Sequence, residues 1–232
     1  NYGKFIGADE NGLETGSFKA YDLAFSVGYA YNIPNSSLFV GANVKLINSV
    51  IENFSSIGIG ADLGILFTSK DTPYNLTLVV RNIGYQVTVY EEEREQLPTQ
   101  IDFGASYKLQ NVPITWFLTI DNIQKWDISV SNPSNDIIDI DGNVTKEEIN
   151  FFDNTIRHFS IGAELFSENA FNIRLGYNFR RSKELMLVDK RTFSGFTAGF
   201  GLRMNKLKFS YAFSKYHPAS NTSTFSLLIN LN

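Results

Sequence analysis

The chain has 232 residues, a net charge of −4 and no cysteine. These values exclude a disulfide framework, a thiolate metal site and a broad basic surface for nucleic acid. No apolar run approaches the roughly 20 residues that a membrane-spanning helix needs, so a helical membrane protein is excluded as well. A β-barrel is not excluded, because only every second residue of its strands must be apolar.

The first long element along the chain is a predicted strand over residues 20–33. Large apolar side chains occupy the odd positions and small or polar ones the even positions, so each set lies on one face. The large side chains are those of Tyr21, Leu23, Phe25, Val27, Tyr29, Tyr31 and Ile33. With a first strand at 2–6, the recurrence of this pattern predicts about twelve strands. The others are predicted at 38–46, 57–67, 76–80, 101–109, 114–120, 159–165, 171–179, 196–204, 207–213 and 225–231.

The composition of the two strand faces distinguishes a membrane barrel from a soluble β-sandwich. A sandwich also alternates, but its outward face is normally charged and rich in threonine. Here the face opposite the large apolar side chains, which we call the polar face, carries Gly, Ser, Ala and Asn with scattered charges. Aromatic residues lie near strand ends, as in an interfacial girdle. We therefore predict an all-β, transmembrane antiparallel β-barrel with its apolar face toward lipid. The barrel must close, since an open edge in lipid leaves backbone groups unsatisfied.

The connections between the predicted strands alternate in length. Short ones are expected at 34–36, 70–73, 110–112, 167–170 and 205–206, and long ones at 7–19, 84–98, 123–157, 181–193 and 215–221. Outer-membrane barrels have short periplasmic turns and long outer loops. This predicts a single outer-membrane barrel domain over 1–232, with the long loops facing the cell exterior of a Gram-negative bacterium and 123–157 as a long extracellular insertion.

The insertion 123–157 is unusually apolar for a surface loop. It either folds over the barrel mouth as a plug or small sheet, or it docks a partner, and the sequence leaves both alternatives open. The residues expected to contact a partner are Trp126, Ile137, Ile138, Phe151 and Phe152.

The charged residues of the polar face do not form a catalytic motif. Only two histidines exist, His158 and His217, and neither has a nucleophile motif beside it. The turn at 167–170 sets a register in which Glu164 and Arg174 face each other, which predicts an ion pair in the lumen. The segment around Asp141 resembles part of a calcium loop, but Ile137 stands at the first ligand position, so a turn is the simpler interpretation. We predict no catalytic, cofactor or metal site.

Several strings in the sequence are similar to one known family. They include Tyr2-Gly3-Lys4-Phe5, Arg81-Asn82-Ile83-Gly84, Leu97-Pro98-Thr99, Asn122-Ile123-Gln124-Lys125-Trp126-Asp127 and Arg174-Leu175-Gly176-Tyr177-Asn178. In their order and spacing they resemble the PorQ branch of the PorV/PorQ barrels of the Bacteroidetes type IX secretion apparatus. That group is in turn similar to FadL-type barrels.

The resemblance covers essentially the whole chain and carries its own expectations. It implies a barrel of fourteen strands whose amino-terminal strands this chain lacks. It implies a non-enzymatic scaffold in the outer-membrane lipid that anchors a PorZ-like surface protein beside PorU/PorV-type components, with lipopolysaccharide as a further candidate partner. The alternative is a FadL-like transporter of hydrophobic small molecules, which the Gly-rich, charged lumen face does not favour.

Overall fold

A computed structural model describes residues 3–52, 54–69, 71–88, 96–130, 136–141, 143–146, 148–185, 193–217 and 220–230. Twelve antiparallel strands of these residues form one sheet and pair in chain order, and two further strands form a separate hairpin. The sheet contains β1 (Gly3–Ala8), β2 (Glu14–Asn32), β3 (Leu38–Ile51), β4 (Phe54–Thr68), β5 (Tyr74–Thr88), β6 (Gln100–Lys108), β7 (Ile114–Ile120), β10 (Phe159–Leu165), β11 (Phe171–Asn178), β12 (Phe196–Met204), β13 (Leu207–His217) and β14 (Ser220–Ile229). The predicted all-β class and the number of strands are confirmed.

The insertion 123–157 contains secondary structure of its own. The hairpin strands are β8 (Ile137–Ile138) and β9 (Val144–Thr145), and the helix is α1 (Phe151–Arg157). A second short helix, α2 (Phe179–Glu184), follows β11 directly. No helix in the described part of the chain is both long and apolar enough to cross a membrane.

The chain divides into two compact units. Unit 1 comprises residues 1–67 and 78–101, and unit 2 comprises residues 68–77 and 102–232. In unit 1, β2 pairs with β3 without a register shift, so that Val27 faces Val44 and Ser26 faces Lys45. In unit 2, β10 pairs with β7 on one side and β11 on the other. Each pairing keeps one set of alternating side chains on one face of the strands, as the period of two predicts.

Several element boundaries differ from the sequence-based expectation. β2 begins at Glu14 rather than at residue 20, because Lys19 and its neighbours continue the ladder with β1. Ladder hydrogen bonds use the backbone, so a strand can extend past its apolar stretch. The strand predicted at 171–179 stops one residue earlier than expected, at Asn178. Its side-chain oxygen accepts the backbone N–H of Arg181, which starts α2 in the manner of an N-cap.

Burial in this protein is inverted relative to a soluble domain. Among the described residues, Ala20 and Ile128 are the only apolar side chains that are buried. The other buried side chains are polar or charged: Ser56, Asp102, Asn154, Arg157, His158, Asn172 and Ser194. The apolar face of β2 is open, with Phe25, Val27 and Tyr29 exposed by 66%, 62% and 75%. Because soluble domains bury such residues, these strands need an apolar medium to cover them.

Candidate functional site

The polar strand face of unit 1 is organised around Asp62, in a cluster that we call the Asp62 clasp. One Asp62 oxygen accepts the backbone N–H of Asn82 at 2.9 Å and lies 2.7 Å from the Lys45 ammonium nitrogen. Lys45 also donates to the Asn82 side-chain oxygen at 2.6 Å, and Asn43 donates to Asp62 at 3.2 Å. Asn82 has a φ of 58°, a left-handed conformation that asparagine tolerates better than most residues. The clasp therefore stabilises an irregular position inside β5.

The Asp62 clasp also holds the segment that leads into β6. Thr99 donates its hydroxyl to the Asn82 carbonyl at 3.2 Å, and the Asn82 amide donates to the Pro98 carbonyl at 3.3 Å. The Leu97 side chain packs over Gly60, where an added Cβ would meet it at 2.8 Å. Glycine in β4 thus makes room for a side chain that arrives from outside the ladder.

Unit 2 repeats this arrangement forty residues further along the chain, with Asp102 and Asn122 in place of Asp62 and Asn82. Asp102 is 3% exposed, and one of its oxygens accepts the backbone N–H of Asn122 at 3.2 Å. Asn122 has a φ of 57°. We call this pair the Asp102 clasp. In both clasps an asparagine with a left-handed backbone donates its N–H to an aspartate twenty residues earlier in the chain. A side-chain oxygen thus replaces the carbonyl acceptor of a regular ladder.

The polar face of unit 2 carries an ion pair between neighbouring strands. Glu164 in β10 lies directly opposite Arg174 in β11. Nε and Nη2 of Arg174 donate to the same Glu164 oxygen, each at 3.2 Å. The Glu164 side chain is 15% exposed and the Arg174 side chain 39%. The pair is therefore partly solvated, and one edge of the guanidinium group stays accessible.

Two hollows open on either side of Arg174. The first has a volume of about 440 Å³, and its lining includes Phe117, Thr119, Ser160, Gly162, Glu164 and Arg174. The second has a volume of about 310 Å³, and its lining includes Arg174, Gly176, Thr197, Ser210, Thr224 and Ser226. Glycine and small hydroxyl side chains leave this space free above the sheet. Volumes of this size suit small molecules.

The insertion 123–157 is folded against a neighbouring loop. The Lys183 ammonium of α2 lies 2.9 Å from the Asp153 carboxylate of α1. Arg157 of α1 lies 3.7 Å from Glu184 of α2, which also pairs with Arg180 at 3.0 Å. Asn150 begins α1 by accepting the Asp153 N–H at 2.9 Å. Two ion pairs thus join the two short helices, and part of the insertion is held in place.

An aromatic stack secures the start of the insertion. The Trp126 ring stacks on Phe151 at 5.1 Å and on His158 at 5.4 Å between centroids. Phe152 meets Phe151 edge to face at 5.8 Å. These geometries are the favourable ones for aromatic pairs. The structure therefore brings Trp126, Phe151 and Phe152 together.

His158, for which the sequence predicts no role, ties the stack to the end of β7. The side chain is 3% exposed, with Nδ1 2.6 Å from the Asp121 carbonyl oxygen and Nε2 2.9 Å from the Trp126 carbonyl oxygen. Because carbonyl oxygens only accept, a protonated ring nitrogen is the donor in either contact. Asn154 donates to the Trp126 carbonyl as well, at 2.7 Å. This buried polar cluster depends on tertiary contacts, for which the sequence gives no local signal.

The five residues expected to contact a partner fall into two groups. Trp126, Phe151 and Phe152 belong to the stack and are 49%, 64% and 81% exposed. Ile137 and Ile138 lie in the β8–β9 hairpin, where Ile138 pairs with Val144 and is 69% exposed. The aromatic stack and the ion pairs therefore hold one part of the insertion, while several of its apolar side chains stay exposed. Whether a partner covers that side stays a prediction.

Carboxyl groups in the turns and loops have lowered pKa values where a donor faces them. The hydrogen bond from Lys183 lowers the pKa of Asp153, and the hydrogen bond from the Ser129 hydroxyl lowers that of Asp127. In the turn after β10, the hydrogen bond from Lys108 lowers the pKa of Glu168. Across the described residues, His, Asp and Glu side chains form no group of three or more that could hold a metal ion.

Comparison with known proteins relates this fold to transport barrels. The sequence matches no protein-family model, and comparison with curated proteins gives no significant match. Among solved structures, the Ralstonia pickettii toluene transporter TbuX matches with a TM-score of 0.51 at 13% identity, over 95% of this chain and 70% of the transporter. The Pseudomonas putida toluene transporter TodX matches with a TM-score of 0.50 at 14% identity, over 98% of this chain and 73% of the transporter. The fold of this chain is therefore similar to that of these two toluene transporters.

Proposed function

We propose that the protein is a non-enzymatic β-barrel of a Gram-negative outer membrane that carries hydrophobic small molecules. The observation that carries the proposal is the likeness to two toluene transporters over 95% and 98% of the chain. The inverted burial supports the membrane location, because hydrocarbon is the medium that covers a row of large apolar side chains. The long connections, including 123–157, then face the cell exterior.

The polar strand face does not exclude such a path. Phe117 lies on the same face of β7 as Thr115 and Thr119 and is 40% exposed. The hollow beside it offers a ring surface among hydroxyl groups. A transport path needs binding that is favourable enough for entry and weak enough for release, which a mixed lining provides.

Uptake by intact cells tests this proposal. A Gram-negative host with an intact lipopolysaccharide layer produces the full chain, and the initial uptake rate of labelled toluene at low concentration is measured. The control host carries a variant with Phe117→Asp and Gly162→Asp, which places charge in the hollow. We expect the wild-type chain to raise the uptake rate over the variant and over the empty host. Equal rates in all three hosts, with both proteins folded in the outer membrane, would contradict the proposal.

A second candidate function is a scaffold of the type IX secretion apparatus, as the resemblance to PorQ-like barrels implies. The observation that favours it is the open apolar side of the insertion, where Ile138, Ile140 and Phe152 are 69%, 106% and 81% exposed. A surface of this kind commonly docks a protein partner. A PorZ-like surface protein, with PorU/PorV-type components and lipopolysaccharide nearby, would then be its partner.

Extraction of the native complex in mild detergent separates the two functions. The scaffold function predicts that a PorZ-like protein co-purifies with the wild-type chain and is lost with an Ile140→Ser, Phe152→Ser variant. Leu13→Ser is the matched control, since Leu13 is 67% exposed in a different connection. If the PorZ-like protein still co-purifies with the double variant, this surface does not bind it.

A further inference from the structure

The first hollow of unit 2 contains two features that stand out from its lining. Three neighbouring strands form it, and Gly162 in β10 lies between Phe117 in β7 and Gly176 in β11. On the side of β10 and β11 the row of Phe117 therefore carries no side chain, whereas on the side of β6 Phe117 lies opposite Ser106. Arg174 stands on the other side of the hollow, and about 10 Å separates two strands that have one strand between them.

Arg174 has unused donor capacity. Its Nε and one Nη2 hydrogen are directed at a single oxygen of Glu164, at 3.2 Å each. Its Nη1 has no hydrogen-bond partner among the residues that the structure describes. An unoccupied guanidinium edge of this kind matches a carboxylate, which accepts two parallel hydrogen bonds.

The charge of the site limits which anion fits. Glu164 already balances Arg174, so a ligand with two negative charges would meet repulsion from the Glu164 carboxylate. A monoanion adds one charge only and meets less of this repulsion. The ring of Phe117 favours a flat, aromatic body next to that charge.

We propose that this hollow binds a small aromatic monocarboxylate, with its ring on Phe117 and its carboxylate on the Nη1 edge of Arg174. The role of the site as a substrate site rests on the proposed transport function, whereas binding itself does not. Glu164 acts as a positioning residue, because it holds Nε and leaves the opposite edge of the guanidinium group open.

Equilibrium binding to the purified full chain in detergent tests the proposal with three probes. Benzoate carries both the ring and the carboxylate, toluene carries the ring alone, and acetate carries the carboxylate alone. We expect saturable benzoate binding that is about tenfold or more tighter than binding of either other probe, since toluene lacks the hydrogen bonds to a charged group and acetate lacks the apolar ring surface. Absence of saturable benzoate binding, or acetate binding as tight as benzoate binding, would overturn the proposal.

Variants locate the binding in this hollow. Glu164→Gln, Arg174→Gln together remove the ion pair without leaving a lone charge, and we expect benzoate affinity to fall about tenfold while toluene binding is unchanged. Arg203→Gln is the matched control, since Arg203 lies in β12 outside the lining of either hollow and should bind benzoate as the wild type does. Benzoate affinity that is unaffected by the double variant overturns the site. Binding with failed toluene uptake would leave this site in place and reject transport, and uptake without benzoate binding would do the reverse.

Discussion

The Asp62 clasp and the Asp102 clasp hold the same backbone conformation but lead to different continuations of the chain. In unit 1, β5 runs on for six residues past Asn82, to Thr88. In unit 2, β7 ends at Ile120, before Asn122, and the insertion begins. The residue two positions after each asparagine differs. It is Gly84 in the first clasp and Gln124 in the second.

That one position accounts for the difference. A Cβ at Gly84 would lie 2.0 Å from the Ile59 carbonyl oxygen, so only glycine lets β5 return to the ladder after the left-handed step. Gln124 cannot make such an approach, and its side chain instead donates to Asn122 at 3.5 Å. An aspartate–asparagine clasp thus marks where a strand can leave its sheet. The residue two positions after the asparagine decides whether the strand continues: glycine allows it and a larger residue does not.

The largest expected effect comes from Gly84→Ala. The added methyl group has to displace backbone, which should lower the free energy of unfolding by about 3 kcal/mol. Gln124→Ala is the matched change in the second clasp and should cost less than about 0.5 kcal/mol. Urea unfolding in lipid vesicles measures both. Equal effects of the two variants would remove the explanation for the different continuations.

Asp62→Ala should follow, with a loss of about 2–3 kcal/mol. It leaves the Lys45 ammonium, 18% exposed, without its carboxylate, and the Asn82 N–H without its acceptor. In the double variant Lys45→Met, Asp62→Ala the lone charge is gone, so we expect about half of the loss to be recovered. The same urea titration distinguishes the two. No recovery would mean that the unpaired Lys45 charge is not what destabilises the Asp62→Ala variant.

His158→Phe sharpens the comparison from the side of unit 2. Phenylalanine keeps the stack on Trp126 but removes both ring-nitrogen contacts, so the hold of the insertion on β7 should weaken by about 1–2 kcal/mol. Faster limited proteolysis within 123–157, with unchanged urea unfolding of the strands, is the expected result. Unchanged proteolysis would show that His158 does not secure the insertion.

The smallest expected effect is the pH dependence of the contact between α1 and α2. Lys183 lowers the pKa of Asp153, so this pair contributes stability above the ordinary aspartate pKa of about 4 and loses it as pH falls through the lowered value. Because both side chains are substantially exposed, the contribution is at most about 1 kcal/mol. Proteolysis of 123–157 should rise below about pH 4, and Asp153→Asn should abolish that rise. If proteolysis still rises in the Asp153→Asn variant, another titrating group causes the rise.

The strands could be predicted from the sequence because their signal is local. Alternation from Tyr21 to Ile33 is visible without knowledge of any partner, and the turn after Leu165 places Glu164 opposite Arg174. The clasps could not be predicted in this way. The left-handed φ of Asn82 is stabilised by Asp62, a residue that only the folded sheet brings near. One signal was nevertheless present: the pair Asn-Ile occurs four times, and only at Asn82 and Asn122 does it follow an aspartate of the polar face by twenty residues.

The short helices were missed for a different reason. Asn150 followed by Asp153 is an N-cap pattern, but α1 is too short to show an apolar face of its own. Its position comes from the ion pairs with α2 and from the stack on Trp126. Such contacts join segments far apart in the chain, and no periodicity reports them.

Single-cysteine labelling of β2 tests most directly whether hydrocarbon covers the apolar face. The chain contains no cysteine, so each substitution carries the only label. Spin labels at Phe25 and Val27 should be accessible to oxygen from the bilayer, and labels at Ala24 and Ser26 to a water-soluble nickel chelate. Collision rates that alternate with a period of two are the predicted result. Nickel access at Phe25 and Val27 equal to that at Ala24 and Ser26, in reconstituted bilayers, would contradict the account.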